Sequence, residues 1–177
     1  VPANLLINNW ANLPGVNICG QTWSLKNLDV DHYQNGDSIP QVTDASTWAN
    51  LTTGAWCYYN NAPTNNPTYG KLYNWYAVND PRGLAPAGWH IPNENEWNLL
   101  IKCIDNNSDT SCSSCMALSL AGGRMKTYGT SLWLSPNTGG INSSGFTAVP
   151  AGYRTGIGGF ESQRELTGWW SINEYTS

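Results

Sequence analysis

This sequence predicts an α+β domain, and three observations point to it. Short β-prone pieces separated by turns fill residues 1–60. Two stretches in the middle repeat their apolar residues at helical spacing. The remainder, 105–177, is rich in loops and holds further short β-prone pieces. Strands, then helices, then strands do not give the regular alternation of a parallel βαβ sheet. A length of 177 residues suits one compact domain.

The first element is the run Val16-Asn17-Ile18-Cys19-Gly20-Gln21-Thr22-Trp23, which alternates in part and predicts a strand. Asn35-Gly36-Asp37 reads as a turn. Gly54-Ala55-Trp56-Cys57-Tyr58-Tyr59 reads as a second strand that stops at the breaker cluster Asn60-Asn61-Ala62-Pro63. Tyr69, Leu72, Tyr73, Tyr76 and Ala77 then fall at i, i+3, i+4, i+7 and i+8, which predicts one helix. Asp80-Pro81-Arg82-Gly83 ends it, because proline cannot donate the next backbone bond. A second helix begins at Asn93, a candidate N-cap, with Glu96 placed to reach back in a capping-box-like arrangement. Trp97, Leu100, Ile101 and Ile104 give its apolar face. Glu94 and Glu96 sit where the helix dipole favours negative charge, so capping is their plainest role. Further short strands are expected at Gly145-Phe146-Thr147-Ala148-Val149, Gly152-Tyr153-Arg154 and Gly168-Trp169-Trp170-Ser171.

Composition narrows the function classes. Charged residues make up 11% of the chain, less than half of the usual share of about 25%. Polarity comes instead from Asn, Ser, Thr and Gly, which is commoner outside cells than inside. No apolar run is long enough to span a bilayer, so membrane insertion is not expected. The net charge is −4 and the eight Lys and Arg residues are scattered. Phosphate neutralisation needs clustered cations, so nucleic-acid binding is rejected. Ten Trp and nine Tyr stand against two Phe. Such side chains carry a polar tip and suit half-buried positions and sugar-stacking surfaces, although core filling is the plainer role for any one of them.

Five cysteines are present: Cys19, Cys57, Cys103, Cys112 and Cys115. Cys112-Ser-Ser-Cys115 has CxxC spacing, but zinc needs two more ligands, and His32 and His90 lie in unrelated contexts. A local disulfide from Cys103 to Cys112 or Cys115 is expected instead. The odd count leaves a free thiol or a partner outside the chain. No leader segment is visible, so the chain is expected to begin as a mature protein or a fragment.

Several segments together resemble the Fibrobacter succinogenes major paralogous domain. They are Gly20-Gln21-Thr22-Trp23, Tyr69-Gly70-Lys71-Leu72-Tyr73-Asn74-Trp75-Tyr76-Ala77-Val78-Asn79, Gly88-Trp89-His90-Ile91-Pro92 with Glu96-Trp97, Gly145-Phe146-Thr147-Ala148-Val149-Pro150-Ala151-Gly152-Tyr153-Arg154, and Trp169-Trp170-Ser171 with Glu174-Tyr175. The resemblance covers most of 16–175 and leaves 1–15 as a lead-in. The family is bacterial, exported and similar in its motifs to the formylglycine-generating enzyme group, which has a C-type-lectin-like fold. The resemblance therefore implies that fold, with two helices, short antiparallel strands and long loops. Family members continue through further aromatic strands where this chain stops at Ser177. The expectation is an open sheet edge completed by a strand-donating partner chain.

Catalytic chemistry finds little support in the residues, and no catalytic residue is expected. His32 and His90 are the only imidazoles. Asp29, Asp31, Asp37 and Asp44 gather near the start, but a glycosidase needs two carboxyls facing one cleft. Formylglycine-generating enzymes use a late cysteine pair, and no cysteine follows Cys115. Among cofactors only calcium is entertained. It wants six to eight oxygens, and Asn79, Asp80, Asn93 and Glu94 could offer some. Asp37-Ser38-Ile39 resembles a short bacterial O-glycosylation pattern that would modify Ser38, although an ordinary turn explains the same residues.

The expected function is a non-catalytic recognition or adhesion module, extracellular or on the bacterial cell surface, binding a polymer such as a glycan or matrix protein. An assembly subunit of a surface appendage is the rival, and a degenerate formylglycine-generating-type enzyme is third. The fold resemblance places ligand-facing loops after the second helix and around the last aromatic cluster. Trp133, Tyr153, Arg154, Trp169 and Tyr175 are the candidate ligand-binding residues. Trp133 is expected to be the most exposed, since Ser131, Ser135, Pro136 and Asn137 surround it. Trp169 and Trp170 should point to opposite faces of a strand, one of them into the core.

Overall fold

The structure is a computed structural model that describes residues 13–111 and 119–174. Short helices and short antiparallel strand pairs are linked by long irregular stretches, a mixed α+β arrangement.

The run 16–23 is a hairpin rather than one strand. β1 (Gly15–Ile18) and β2 (Gln21–Ser24) pair antiparallel, with Val16 opposite Trp23 and Ile18 opposite Gln21. Cys19 and Gly20 make the difference. Their φ angles of 50° and 86° put both central residues of the turn in the left-handed region, which matches the twist of paired strands. A second, smaller hairpin follows at 31–39, where Tyr33 N–H donates to Asp37 O and Ile39 N–H to Asp31 O. The expected Asn35-Gly36-Asp37 turn closes it, with Asn35 Oδ1 accepting from Asp37 N–H at 3.0 Å. Asp44 then caps α1 (Ala45–Ala49), accepting from both the N–H and the hydroxyl of Thr47.

β3 (Trp56–Cys57) ends at the expected breaker, where Asn60 and Asn61 take φ angles of 52° and 55°. The single helix predicted from Tyr69 onward does not form. The chain instead makes α2 (Asn66–Tyr69), then β4 (Leu72–Tyr73), then α3 (Trp75–Val78). Gly70 breaks the helix at φ 69° and ψ −152°. A Cβ there would sit 2.7 Å from Leu28 O, so only glycine allows this approach. Leu72 and Tyr73 pair with Cys57 and Trp56. Asn74 starts α3 by accepting from Ala77 N–H. The helical spacing of the apolar residues is therefore coincidental, and Tyr76 remains 45% exposed.

α4 (Glu94–Ile104) forms as predicted. Asn93 Oδ1 accepts from Glu96 N–H at 3.0 Å, and Glu96 Oε2 accepts from Asn93 N–H at 2.8 Å. Leu100 is fully buried, while Trp97, Ile101 and Ile104 are half-buried. α5 (Ala121–Met125) follows, and β5 (Tyr153–Arg154) pairs with β6 (Phe160–Glu161). Residues 145–149 make one bridge, Ala148 to Lys126, rather than a strand. Gly145 and Thr147, at φ angles of 74° and 64°, prevent a ladder. Residues 168–171 are irregular as well.

Two main hydrophobic cores form among the described residues. Val30, Tyr33, Ile39, Trp56, Tyr73 and Leu84 belong to the first. Ile18, Trp23, Leu100, Met125, Trp133 and Phe146 belong to the second. Trp48, Ala55 and Cys57 make a smaller third. The disulfide runs from Cys19 to Cys103, with Cα atoms 6.4 Å apart, a usual span for such a link. This corrects the expected local bridge. The β1–β2 tip meets the last turn of α4, so Cys103 is taken by a distant partner. Cys112 and Cys115 lie outside the described residues. Cys57 is a free, fully buried thiol, and burial pushes its pKa up.

Candidate functional site

The aromatic surface with the clearest construction is at Trp169 and Trp170. The chain reaches it after Thr167 bridges to Gly152. It is then tied to the start of α4. Ile172 N–H donates to Pro92 O at 2.9 Å, and Asn173 Oδ1 accepts from Glu94 N–H at 2.7 Å. Between these anchors the two indoles turn to different neighbours. Trp169 stacks on Trp97 at 5.8 Å between centroids and meets Phe146 edge-on at 5.2 Å. Trp97 in turn lies 4.6 Å from Trp23. Trp170 lies 5.7 Å from Trp75. Trp169 Nε1 donates to Asn27 Oδ1, and Trp170 Nε1 donates to Tyr73 O, both at 3.0 Å. Trp97 Nε1 donates to the Trp170 carbonyl at 3.3 Å.

Trp169 is 38% exposed and Trp170 is 46% exposed. Neither is the core residue that strand geometry predicted, because no strand forms there. Each indole has its only polar group bonded inward while apolar ring surface faces water. That arrangement fixes two partly exposed indoles in place, each able to offer apolar contact to a ring-shaped ligand.

The other candidates lie elsewhere. Trp133 is 4% exposed, which overturns its expected exposure. Its Nε1 donates to Thr127 Oγ1 at 2.8 Å, and the Lys126 ammonium sits 4.8 Å from its ring centroid. The polar residues beside it coat the ring rather than expose it. The Asn137 amide, for instance, donates to the carbonyls of Thr127 and Gly129. A cleft of about 250 Å³ opens over this region, lined also by Leu134, Ser135, Arg164 and Glu165. Tyr153 is exposed and donates its hydroxyl to Glu161 at 2.6 Å. The Arg154 guanidinium lies 4.3 Å from the Trp48 centroid and donates to the carbonyls of Val42, Thr43 and Gly158. It braces the third core, with its N–H groups already engaged by those carbonyls. The four candidates within the described residues therefore do not converge on one surface. Tyr175 lies outside the described residues.

Apart from Glu94, the ionisable candidates have structural partners. Both Asp80 oxygens receive Arg82, whose hydrogen bonds hold its carboxyl down to about 2. Asn93 is engaged in the capping box. Asp37 pairs with Arg82, Asp29 with Lys71, and Asp44 caps α1. Among the described residues, no group of three or more His, Cys, Asp and Glu could hold a metal ion. His90 Nε2 lies 2.7 Å from Glu96 Oε1. Partial burial opposes ionisation of Glu96, but the Asn93 N–H and His90 together hold its carboxyl below the usual range.

The alignment of Asp31, His32 and Ser38 is a feature that sequence reasoning missed. Its Nδ1 is 2.7 Å from Asp31 Oδ1 and its Nε2 is 3.3 Å from Ser38 Oγ. That is the order of a serine hydrolase relay. The signal lay in the turn between the residues, which sets His32 opposite Ser38. His32 and Ser38 are exposed on the hairpin surface, where water competes for the hydroxyl. The clefts at Trp133 and at the disulfide are lined by other residues. The contacts brace the hairpin, and Ser38 has the accessibility that O-glycosylation requires.

A family model described as the Fibrobacter succinogenes major domain matches residues 16–177. No curated protein and no solved structure matches the chain.

Proposed function

The chain belongs to the Fibrobacter succinogenes major domain family, and we propose that it is a non-catalytic, extracellular module that binds a glycan polymer through Trp169 and Trp170. The carrying observation is the pair of half-exposed indoles with their N–H groups bonded inward. Such rings need no ordering on binding, so little conformational entropy opposes the contact. The Cys19–Cys103 disulfide supports an oxidising, extracellular setting. The sparse charge of the chain supports recognition by neutral hydrogen bonds. The C-type-lectin-like fold is part of this proposal and rests on the likeness in motifs to the formylglycine-generating enzyme group.

The test is gel-retardation electrophoresis of the folded protein through β-glucan, xylan, mannan and chitin derivatives, with calcium and with a chelator. At least one polymer should retard the protein. Trp169→Ala and Trp170→Ala should each weaken that interaction about tenfold, the worth of one good aromatic contact. Unchanged retardation in both folded variants overturns the site. No retardation by any polymer overturns the glycan reading and turns attention to matrix proteins.

A second reading, an assembly subunit, draws on the strand pairs. Each of the three sheets in the described residues has two strands, and two-stranded sheets leave edges able to pair with another chain. Association that rises with protein concentration, undiminished by Trp169→Ala, favours it.

A further inference from the structure

We propose that Lys71 and Asn66 are joined by a side-chain amide bond that the protein forms on itself, with Asp29 as the proton carrier. Three side chains converge beside the first core. Lys71 Nζ lies 3.0 Å from Asp29 Oδ1. Asn66 Nδ2 donates to Asp29 Oδ2 at 2.9 Å. One carboxylate therefore holds an amine on one oxygen and a carboxamide on the other.

The backbone builds this meeting. Gly70 turns the chain out of α2 at a positive φ, and Lys71 N–H then donates to Leu28 O at 3.0 Å. Lys71 is thereby set beside Asp29, while Asn66 opens α2 just before it.

The surroundings favour a reaction over a resting ion pair. The Lys71 side chain is only 6% exposed, which is unusual for lysine. Its Nζ lies 4.4 Å from the Trp56 centroid and 6.0 Å from that of Tyr58. Its hydrogen bond goes to the Asp29 carbonyl at 2.9 Å. Asn66 Oδ1 is buried with no hydrogen-bond partner, and the Lys71 ammonium lies beside Asp29 Oδ1. A buried ammonium and an unsatisfied amide oxygen are both costly. Replacing the ammonium by a neutral amide removes a buried charge, while the Asp29 carboxylate that remains is 32% exposed to water.

The chemistry balances without a co-reactant. Lys71 Nζ gives a proton to Asp29 Oδ1, and the freed lone pair attacks Asn66 Cγ. The new C–N bond forms and the Cγ–Nδ2 bond breaks. Of the three ammonium protons one stays on the new amide nitrogen. The other two pass through Asp29 to the departing nitrogen, which leaves as ammonium. Asp29 ends as a carboxylate, and nothing is oxidised or reduced.

Intact mass spectrometry of the reduced wild-type protein tests the bond, followed by sequencing of its proteolytic fragments. The expected mass is lower than that of the sequence by one ammonia, with a branched fragment joining the peptides of Asn66 and Lys71. Lys71→Arg, Asn66→Ala and Asp29→Asn should each show the full mass. The full mass in the wild type overturns the proposal. Loss of water instead of ammonia overturns it too, because the link would then run from Lys71 to Asp29. Cyclisation at Asn35-Gly36 loses the same ammonia, so a deficit that persists in Lys71→Arg also overturns it.

Discussion

The two main cores are built differently. In the first, aromatic groups bond to nearby backbone: Trp56 Nε1 donates to Ile39 O at 2.8 Å and Tyr73 hydroxyl donates to Val30 O at 2.7 Å. Cations cover its rings, with Lys71 over Trp56 and Arg82 4.1 Å from the Tyr33 centroid. The second gathers Ile18, Leu100, Met125, Trp133 and Phe146 from distant parts of the chain. Trp23 Nε1 is buried in it without a partner. Its aromatic row runs outward through Trp97 to Trp169 and reaches water. The role of an indole here follows from what covers its outer face. Trp56 and Trp133 have bonded N–H groups and a lysine above the ring, while Trp169 has a bonded N–H and is 38% exposed.

The comparison breaks most sharply at Trp133. Trp133→Ala should destabilise the protein by about 4 kcal/mol through lost burial and a cavity. A thermal melt checks this, and a change in Tm of only a degree or two would return Trp133 to the surface. The disulfide comes next. Cys19→Ser with Cys103→Ser should cost about 3 kcal/mol, a typical contribution of a link closing a long loop. Hydrogen exchange should show protection falling more in the second core than in the first, and equal losses would mean that the cores unfold as one.

Acid should act on the other core, with the smallest effect. Asp80, paired with Arg82 over Tyr33, has a folded value of about 2 against an ordinary 3.8. A lowered folded value means a contribution complete at neutral pH and lost as pH falls from about 4 through about 2. Arg82 is partly exposed, so the loss should be about 1 kcal/mol. Melting curves across that range check it. Asp80→Asn should remove this part of the acid sensitivity, and an unchanged acid response in that variant would sink the assignment.

Sequence legibility followed the range of the interactions. The capping box of Asn93 and Glu96 joins residues three apart, and it stands as expected. The α+β mixture was also legible. Tyr69 to Ala77 misled because periodicity alone cannot see Gly70 approaching Leu28 O, a contact across the fold. Cys103 misled for the same reason, since Cys19 is 84 residues away. Trp133 looked exposed because its neighbours are polar, yet Asn137 directs its amide to backbone carbonyls. The last aromatic cluster pointed to Trp169, but its partner Asn27 comes from the other end of the chain.

The Cys19–Cys103 link has a mechanical meaning. Every residue of the first core, from Val30 to Leu84, lies between the two cysteines. Tension applied to the chain on either side follows the covalent path through the sulfur atoms and bypasses that segment. Stretching the backbone would therefore draw slack from outside the link before any from the segment between the cysteines.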